Sequence, residues 1–219
     1  IILTPADAPE LFRMISKIRH RLKIKAHIEQ VLLTDQFNAA LVCCPRFGPF
    51  GPQRYYLQIG LPLMQGLSTK QFGAVVAHEL GHMARGRTLA ANWIFVLRET
   101  WGQLHRSLQD GYPWAKQWLA GFVSRYEPYF NAYTRALARQ HEFCADQAAV
   151  RVVGKSVAAD AIVAVRLKSR YLSEYYWPKL MLKADNQPRP ACLPYSNMRL
   201  ALSLGFAEAP GEQWLEGAL

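Results

Sequence analysis

The stretch "VVAHELGHMARG", Val75 to Gly86, holds two histidines four residues apart and a glutamate directly after the first. On an α-helix, residues i and i+4 lie on one face, so His78 and His82 can bind the same metal ion. Glu79 is rotated by one residue and can reach a water on that ion without binding the ion itself. This H-E-x-x-H arrangement is typical of zinc-dependent hydrolases, in which the carboxylate accepts the proton of the water. The alternative is a buried helix with two hydrogen-bonded histidines, and five residues alone do not separate the two interpretations.

The residues around the motif predict a well-defined helix. Ser68 and Gln71 form the Ser-x-x-Gln pattern of a capping box, and Gly86 is placed to end the helix. Gly81 costs about 1 kcal/mol relative to alanine inside a helix, so we expect another backbone or the metal site itself to approach closely there. Apolar residues recur at helical spacing and predict a largely buried helix, at Phe72, Val75, Val76, Leu80 and Met83.

A catalytic zinc ion usually has three protein ligands and one position open to water, so a third ligand is needed. The metzincin extension is excluded because Arg85 and Thr88 stand where that class has glycine and histidine. The third ligand must therefore come from elsewhere in the chain. The downstream carboxylates are Glu99, Asp110, Glu127, Glu142, Asp146, Asp160 and Glu174.

Glu142 is the strongest of these candidates. It lies on a long predicted helix, beside alanines and Cys144, whose small side chains permit close packing. Asp146 is one turn further on the same face, where it can orient a ligand. An exposed acidic pair is the alternative interpretation, and His141 is a competing ligand next to Glu142.

The elements that must position these residues predict an α+β fold in which a small three-stranded sheet lies beside a helical body. Three apolar, partly β-branched runs separated by Asp, Asn, Pro and Gly predict strands over Ile28–Asp35, Asn38–Cys44 and Arg54–Gly60. The last two are separated by the loop "PRFGPFGP", and the later stretch "ADNQPRPACLPYSN" breaks the helical pattern. Besides the motif helix, we predict helices over Ala8–Leu22, Thr88–Leu108, Trp114–Val123, Pro128–Val152 and Ser156–Lys183, and a short one near Met198.

Composition bounds the class of protein. At 219 residues, with 51% hydrophobic and 19% charged residues, the chain is predicted to fold as one domain over residues 1–219. No apolar run reaches 18 residues, so we expect no membrane-spanning helix within it, and no signal peptide is visible. Because the chain begins at Ile1 rather than methionine, we expect it to be a fragment or processed product of a longer chain, which leaves room for an N-terminal membrane anchor. The small number of cysteines and the lack of a C-x-x-C motif indicate a reducing compartment. The four cysteines are Cys43, Cys44, Cys144 and Cys192.

The net charge of +10 favours acidic partners such as anionic lipid or acidic protein surfaces. No nucleic-acid motif accompanies the charge, so we predict no nucleic-acid partner. One short segment with apolar residues at helical spacing is especially basic, and it can lie against an anionic membrane surface. The commoner interpretation is a solvated face over a core stripe. The basic residues of this segment are Arg13, Lys17, Arg19, Arg21, Lys23 and Lys25.

The two motifs together resemble the HtpX and CAAX prenyl protease family of zinc metallopeptidases, a branch of the gluzincins. H-E-L-G-H at His78–His82 is followed by E-x-x-x-D at Glu142–Asp146, within "RQHEFCAD". "GLPLMQGLSTKQFGAVVAHELGHMARG" is similar to that family's approach to its metal helix, and Asn38-Ala39 is similar to the Asn-Ala that opens its substrate-side strand. The resemblance covers about Asp35 to Ala149 and implies a zincin-like metalloprotease domain.

The resemblance also implies roles for individual residues. One Zn²⁺ ion per chain would be bound by His78, His82 and Glu142. Glu79 would activate water, and Asp146 would support the site or assist proton transfer. Near the C-terminus, family members commonly have His-Pro and a following arginine, whereas "CLPYSNMR" keeps Pro194 and Arg199 without the histidine.

Arg199 is the predicted electrophile that stabilises the oxyanion opposite the zinc, with Tyr195 as the reserve candidate.

We therefore predict a zinc metalloendopeptidase that binds protein or peptide substrates in extended conformation along the strand "NAALVCC". The resemblance implies membrane association, and the cysteines, which indicate a reducing compartment, favour a catalytic domain that faces the cytoplasm. The alternative function is a non-catalytic, metal-stabilised module that binds a membrane surface. Glu79 separates the two, because a structural zinc site is normally closed by four protein ligands and has no use for a general base.

Overall fold

The computed structural model describes residues 1–45, 53–84, 113–186, 194–204 and residue 214. Within these ranges the chain is mostly helical with one small sheet, which confirms the predicted α+β class. The strands are β1 (Ile2–Leu3), β2 (Ile28–Thr34), β3 (Ala39–Pro45) and β4 (Gln53–Gly60). The described helices are α1 (Pro9–Arg21), α2 (Leu61–Gly66), α3 (Thr69–Ala84), α4 (Pro113–Val153), α5 (Lys155–Tyr171), α6 (Trp177–Asn186) and α7 (Pro194–Leu204), with a π-helical turn at Leu172–Tyr176 between α5 and α6.

The four strands lie in the order β1-β2-β4-β3. β2 and β4 are parallel, whereas β1 and β3 are antiparallel to their neighbours. The three strands predicted from the sequence are confirmed. The two-residue β1 was not predicted, because a strand so short carries no hydrophobic period.

β3 lies at one end of the described sheet, and its backbone groups alternate in direction. The amide of Gly60 donates to the carbonyl of Asn38, and Ala40 is paired with Gln58 in register. Hydrogen-bonded pairs alternate along an antiparallel ladder, so the N–H and C=O groups of Ala39 and Leu41 point away from β4. Gly60 is needed where β4 enters α2, because a Cβ there would lie 1.6 Å from the carbonyl oxygen of Gln36.

The core is formed between the sheet and helices α1 and α3. Leu57 and Ile59 of β4 are fully buried, as are Val76 and Leu80 of α3. The apolar stripe of α1 packs into the same core, while the basic side chains other than Arg19 are exposed. The apolar side of α1 therefore faces the core and its basic side is exposed. The buried residues of the α1 stripe are Leu11, Ile15 and Ile18.

Several predicted helix limits were wrong. α4 continues through Pro128, where the sequence predicted a break between two helices. Proline removes one backbone hydrogen bond and crowds the preceding turn, but Pro128 is exposed and its ring needs no room in a packed core. The predicted helix Ser156–Lys183 is interrupted by the π-helical turn, and the region predicted to be irregular is partly helical at both ends, in α6 and α7.

Some sequence predictions lie outside the described residues, namely the helix end at Gly86, the helix Thr88–Leu108 and most of the loop "PRFGPFGP". Within the described ranges, no helix combines the length and the apolar character that crossing a lipid bilayer requires.

Candidate metal centre

Helix α3 begins with the predicted capping box. The amide of Ser68 donates to Oε1 of Gln71 at 3.1 Å, and the amide of Gln71 donates back to the Ser68 hydroxyl at 3.3 Å. These bonds satisfy amides that would otherwise be unpaired at the helix N-terminus. The capping box therefore determines where α3 begins.

Gly81 lets α3 and α4 approach at contact distance. A Cβ on Gly81 would lie 2.8 Å from the Cβ of Ala148 and 2.9 Å from the Cα of Ala145. Atoms cannot pack that closely, so glycine is required where the two helices cross. The prediction that another backbone approaches Gly81 is confirmed, and the backbone is that of α4.

This crossing brings together the side chains of His78, His82 and Glu142, which each offer one ligand atom within 4.8 Å of the others. His78 Nε2 lies 3.3 Å from Glu142 Oε2, and His82 Nε2 lies 4.0 Å from Glu142 Oε1. The two imidazole rings are perpendicular, with centroids 5.1 Å apart. The histidine side chains are only 25% and 19% exposed, while the carboxylate is 60% exposed, so the group is open to solvent on the α4 side. Two imidazoles and one carboxylate form a donor set that fits a catalytic zinc ion.

Asp146 lies on the far side of the His78 ring. Its Oδ1 is 2.9 Å from His78 Nδ1. With Nδ1–H donating to this carboxylate, the lone pair of His78 is on Nε2, the nitrogen that faces Glu142. The pairing therefore orients His78 toward the other two donors.

Glu79 lies beside this group without belonging to it. Its Oε2 accepts the backbone N–H of Leu41 at 3.1 Å, from the side of β3 that faces away from β4. Burial raises the pKa of the Glu79 carboxyl group above its usual value, and nearby Glu142 adds to this; His78 and the Leu41 hydrogen bond oppose it. A half-buried carboxylate with a raised pKa is suited to accept a proton.

Comparison with known families agrees with this geometry. The model of peptidase family M48 matches residues 51–186, more than half of the chain and a range that includes both motifs. The chain belongs to peptidase family M48. The search of curated proteins and the search of solved structures each gave no match. Family membership indicates a metallopeptidase that acts on proteins or peptides.

The structure does not bring every predicted residue of this M48 peptidase to the metal group. His141 is half-buried but is not among the three residues of the group, and Glu99 lies outside the described residues. Arg199 is exposed on α7, which packs against α2, and makes no hydrogen bond or ion pair with the group in the described part of the chain. Tyr195 packs edge-on against Trp177.

One contact of the M48 site was missed from the sequence. The strand "NAALVCC" was predicted to bind substrate, but the bond from Leu41 N–H to Glu79 was not foreseen. The alternation of backbone groups along a strand predicts which N–H groups point to an open edge. The sequence could therefore have identified the Leu41 N–H as an available donor. Its carboxylate partner depends on how α3 packs under β3, which no local pattern specifies.

Proposed function

We propose that this M48 peptidase is a zinc-dependent endopeptidase of the HtpX and CAAX prenyl protease type. In this proposal His78, His82 and Glu142 bind one zinc ion, and Glu79 is the general base. One observation carries it: three donor atoms converge within 4.8 Å, and Glu79 stands next to them with its carboxylate bonded elsewhere. A glutamate that is held beside a metal group but outside it has the position that a general base needs.

The chain's own residues account for the proton transfers. When bound, zinc supplies Lewis-acid polarisation of the scissile carbonyl and lowers the pKa of the attacking water. Glu79 accepts the proton of that water on the oxygen that Leu41 leaves unbound. The Glu79 carboxyl group then donates that proton to the leaving amine, so the same residue serves as base and acid. Asp146 keeps the His78 ring in its tautomer and orientation throughout.

The substrate is proposed to add to β3 as an extended strand. Ala39 directs its backbone groups, and Leu41 its carbonyl, away from β4, while the Leu41 N–H at the same edge is donated to Glu79. An extended peptide that pairs with these groups passes directly beside the general base. Main-chain pairing recognises backbone rather than particular side chains, which suits an endopeptidase with broad selectivity.

Three further parts of the proposal rest on the resemblance and the composition. These are membrane association, a catalytic domain that faces the cytoplasm, and Arg199 as the group that stabilises the oxyanion. The alternative function, a non-catalytic metal-stabilised membrane module, is less well supported because a buried carboxylate held beside the metal group has no role in it. Kinetics of Arg199→Lys and Tyr195→Phe in zinc-loaded protein test the electrophile: turnover within a few-fold of wild type in both variants rules both residues out.

The test of the main proposal is metal analysis together with digestion of casein by the wild-type chain, Glu79→Gln and the control Glu29→Gln. Glu29 is an exposed glutamate on β2 and is not part of the metal group. We expect one zinc ion per chain in all three proteins and loss of casein hydrolysis in Glu79→Gln alone. Zinc loss in Glu79→Gln would make Glu79 a ligand, and full activity in that variant would exclude it as the base.

A further inference from the structure

Two arginines on α4 lie on the same side of the helix as the proposed ligand Glu142. Arg135 precedes Glu142 by seven residues, about two turns, and Arg139 precedes it by three, about one turn. At about 1.5 Å of rise per residue, their backbones lie roughly 10 and 5 Å from Glu142 along the helix axis. The arginines therefore extend the metal-binding face of α4 toward its N-terminal half.

Neither arginine is used by the fold. Both side chains are exposed, and within the described residues neither forms a hydrogen bond or an ion pair with a carboxylate. The nearest acidic side chain in sequence, Glu142, faces His78 and His82 instead. Two guanidinium groups next to each other repel, so an anion that bridges them would be stabilised by both.

The arginines also have space in front of them. A cavity of about 510 Å³ is lined, among the described residues, by Arg135, Ala136 and Arg139. Guanidinium groups bind carboxylates in a planar, two-bonded arrangement, which makes a carboxylate a suitable occupant.

We propose that Arg135 and Arg139 form a subsite that binds a carboxylate of the peptide substrate, and so give the enzyme a preference for acidic substrates. This inference rests on the proposed function, because it takes the metal centre as the point of cleavage. An extended peptide advances about 3.3 Å per residue. The arginines precede Glu142 by roughly 5 and 10 Å along the axis of α4, so a carboxylate within about three residues of the scissile bond is close enough to reach them. The net charge of +10 favours the approach of acidic peptides to the protein.

The first experiment measures kcat/KM on matched quenched peptides that carry glutamate, glutamine or lysine at each of the three positions on either side of one scissile bond. A second set compares free and amidated C-termini, which separates a side-chain carboxylate from a terminal one. We expect the zinc-loaded wild type to prefer glutamate over glutamine about fivefold at one position, a typical effect for exposed ion pairs. The preference should weaken as salt is raised.

Variants connect the preference to the two arginines. In Arg135→Gln/Arg139→Gln, the glutamate peptide should lose its advantage while hydrolysis of the glutamine peptide stays unchanged. Arg139→Glu should shift the preference toward lysine. Arg125→Gln is the matched control, because Arg125 is an exposed arginine on the same helix ten residues before Arg135. An equal glutamate preference in wild type and double variant would overturn the proposal.

Binding separates this inference from the proposed function. Fluorescence anisotropy with labelled acidic and neutral peptides is measured on Glu79→Gln protein, with and without the two arginine substitutions. If no peptide is cleaved by the wild type, the proposed function fails, but tighter binding of the acidic peptide that depends on Arg135 and Arg139 still supports the subsite. If the arginines affect only binding to phosphatidylglycerol vesicles and not to peptides, the subsite belongs to a lipid surface and the proposal is wrong.

Discussion

The two halves of α4 differ in what surrounds them. The C-terminal half packs against α3 through the buried residues Ala145, Ala148 and Ala149, and it presents Glu142 and Asp146 to the histidines. In the N-terminal half, the described side chains are exposed. Among the described residues, small side chains therefore bring only the C-terminal half against α3, where α4 carries the proposed metal ligand Glu142.

The close packing of the C-terminal half explains the distances between the histidines of α3 and Glu142 of α4. The packed half has no freedom to move relative to α3, because Gly81 and Ala148 leave no gap between the helices. The distance between donors on the two helices is therefore set by backbone contact rather than by long side chains. Three predictions test this division and a fourth tests a second exposed surface, in order of decreasing expected effect.

The largest effect is expected at the proposed ligand on the packed half. Glu142→Ala should lower both zinc content and casein hydrolysis to background, because two histidines alone leave the zinc ion short of a protein ligand. Gln140→Ala, an exposed change two residues earlier, is the control and should retain both. Zinc content is measured by inductively coupled plasma mass spectrometry. Retention of a full complement of zinc in Glu142→Ala would show that another residue completes the site.

A smaller effect is expected where α4 orients a histidine rather than binding the metal. Asp146→Asn should weaken zinc affinity or activity by about 10- to 100-fold, the usual loss when a partner of a ligating histidine is changed. The control Asp160→Asn alters an exposed aspartate on α5 and should change neither. Zinc affinity is measured by competition with a chromophoric chelator. Equal affinities of wild type and Asp146→Asn would mean that the His78 contact does not support metal binding.

A larger side chain at Ala148 tests the contact between α3 and α4. Ala148→Leu adds atoms where no space exists and should lower the free energy of unfolding by about 1–3 kcal/mol, the cost of overpacking. Ala132→Leu makes the same change on the exposed half and should stay within about 0.5 kcal/mol of wild type. Urea unfolding of the zinc-free proteins compares the two. Similar losses in both variants would show that the halves are not packed differently.

The smallest effect is expected at the basic face of α1, which offers a second surface for comparison with the solvated half of α4. Lys17→Gln/Arg21→Gln should reduce sedimentation with anionic vesicles at low salt, and high salt should remove the difference, because each basic residue near a membrane adds about 1 kcal/mol that salt screens. Both side chains are exposed. If wild type and variant sediment alike with anionic and neutral vesicles, this face is solvated and has no membrane role.

The sequence was informative where chemistry depends on local spacing. The relation of His78 to His82 and the capping box of α3 follow from helix geometry, and Gly81 signalled a close approach by its cost in a helix. The sequence could not show that α4 continues through Pro128, because proline inside a helix favours a break. Nor could it show that Leu41 donates to Glu79 or that Arg135 lines a cavity. Those relations depend on the packing of elements distant in the chain.

The central claim is that the crossing of α3 and α4 creates a zinc site with His78, His82 and Glu142 as its protein ligands. A crystal of the zinc-loaded chain, with anomalous data collected on both sides of the zinc absorption edge, tests it most directly. The account predicts a single anomalous peak at about 2.0–2.2 Å from an imidazole nitrogen of each histidine and from a carboxylate oxygen of Glu142, with Glu79 near the ion but not bound to it. A peak bonded to His141 in place of Glu142, or bonded to Glu79, would contradict it.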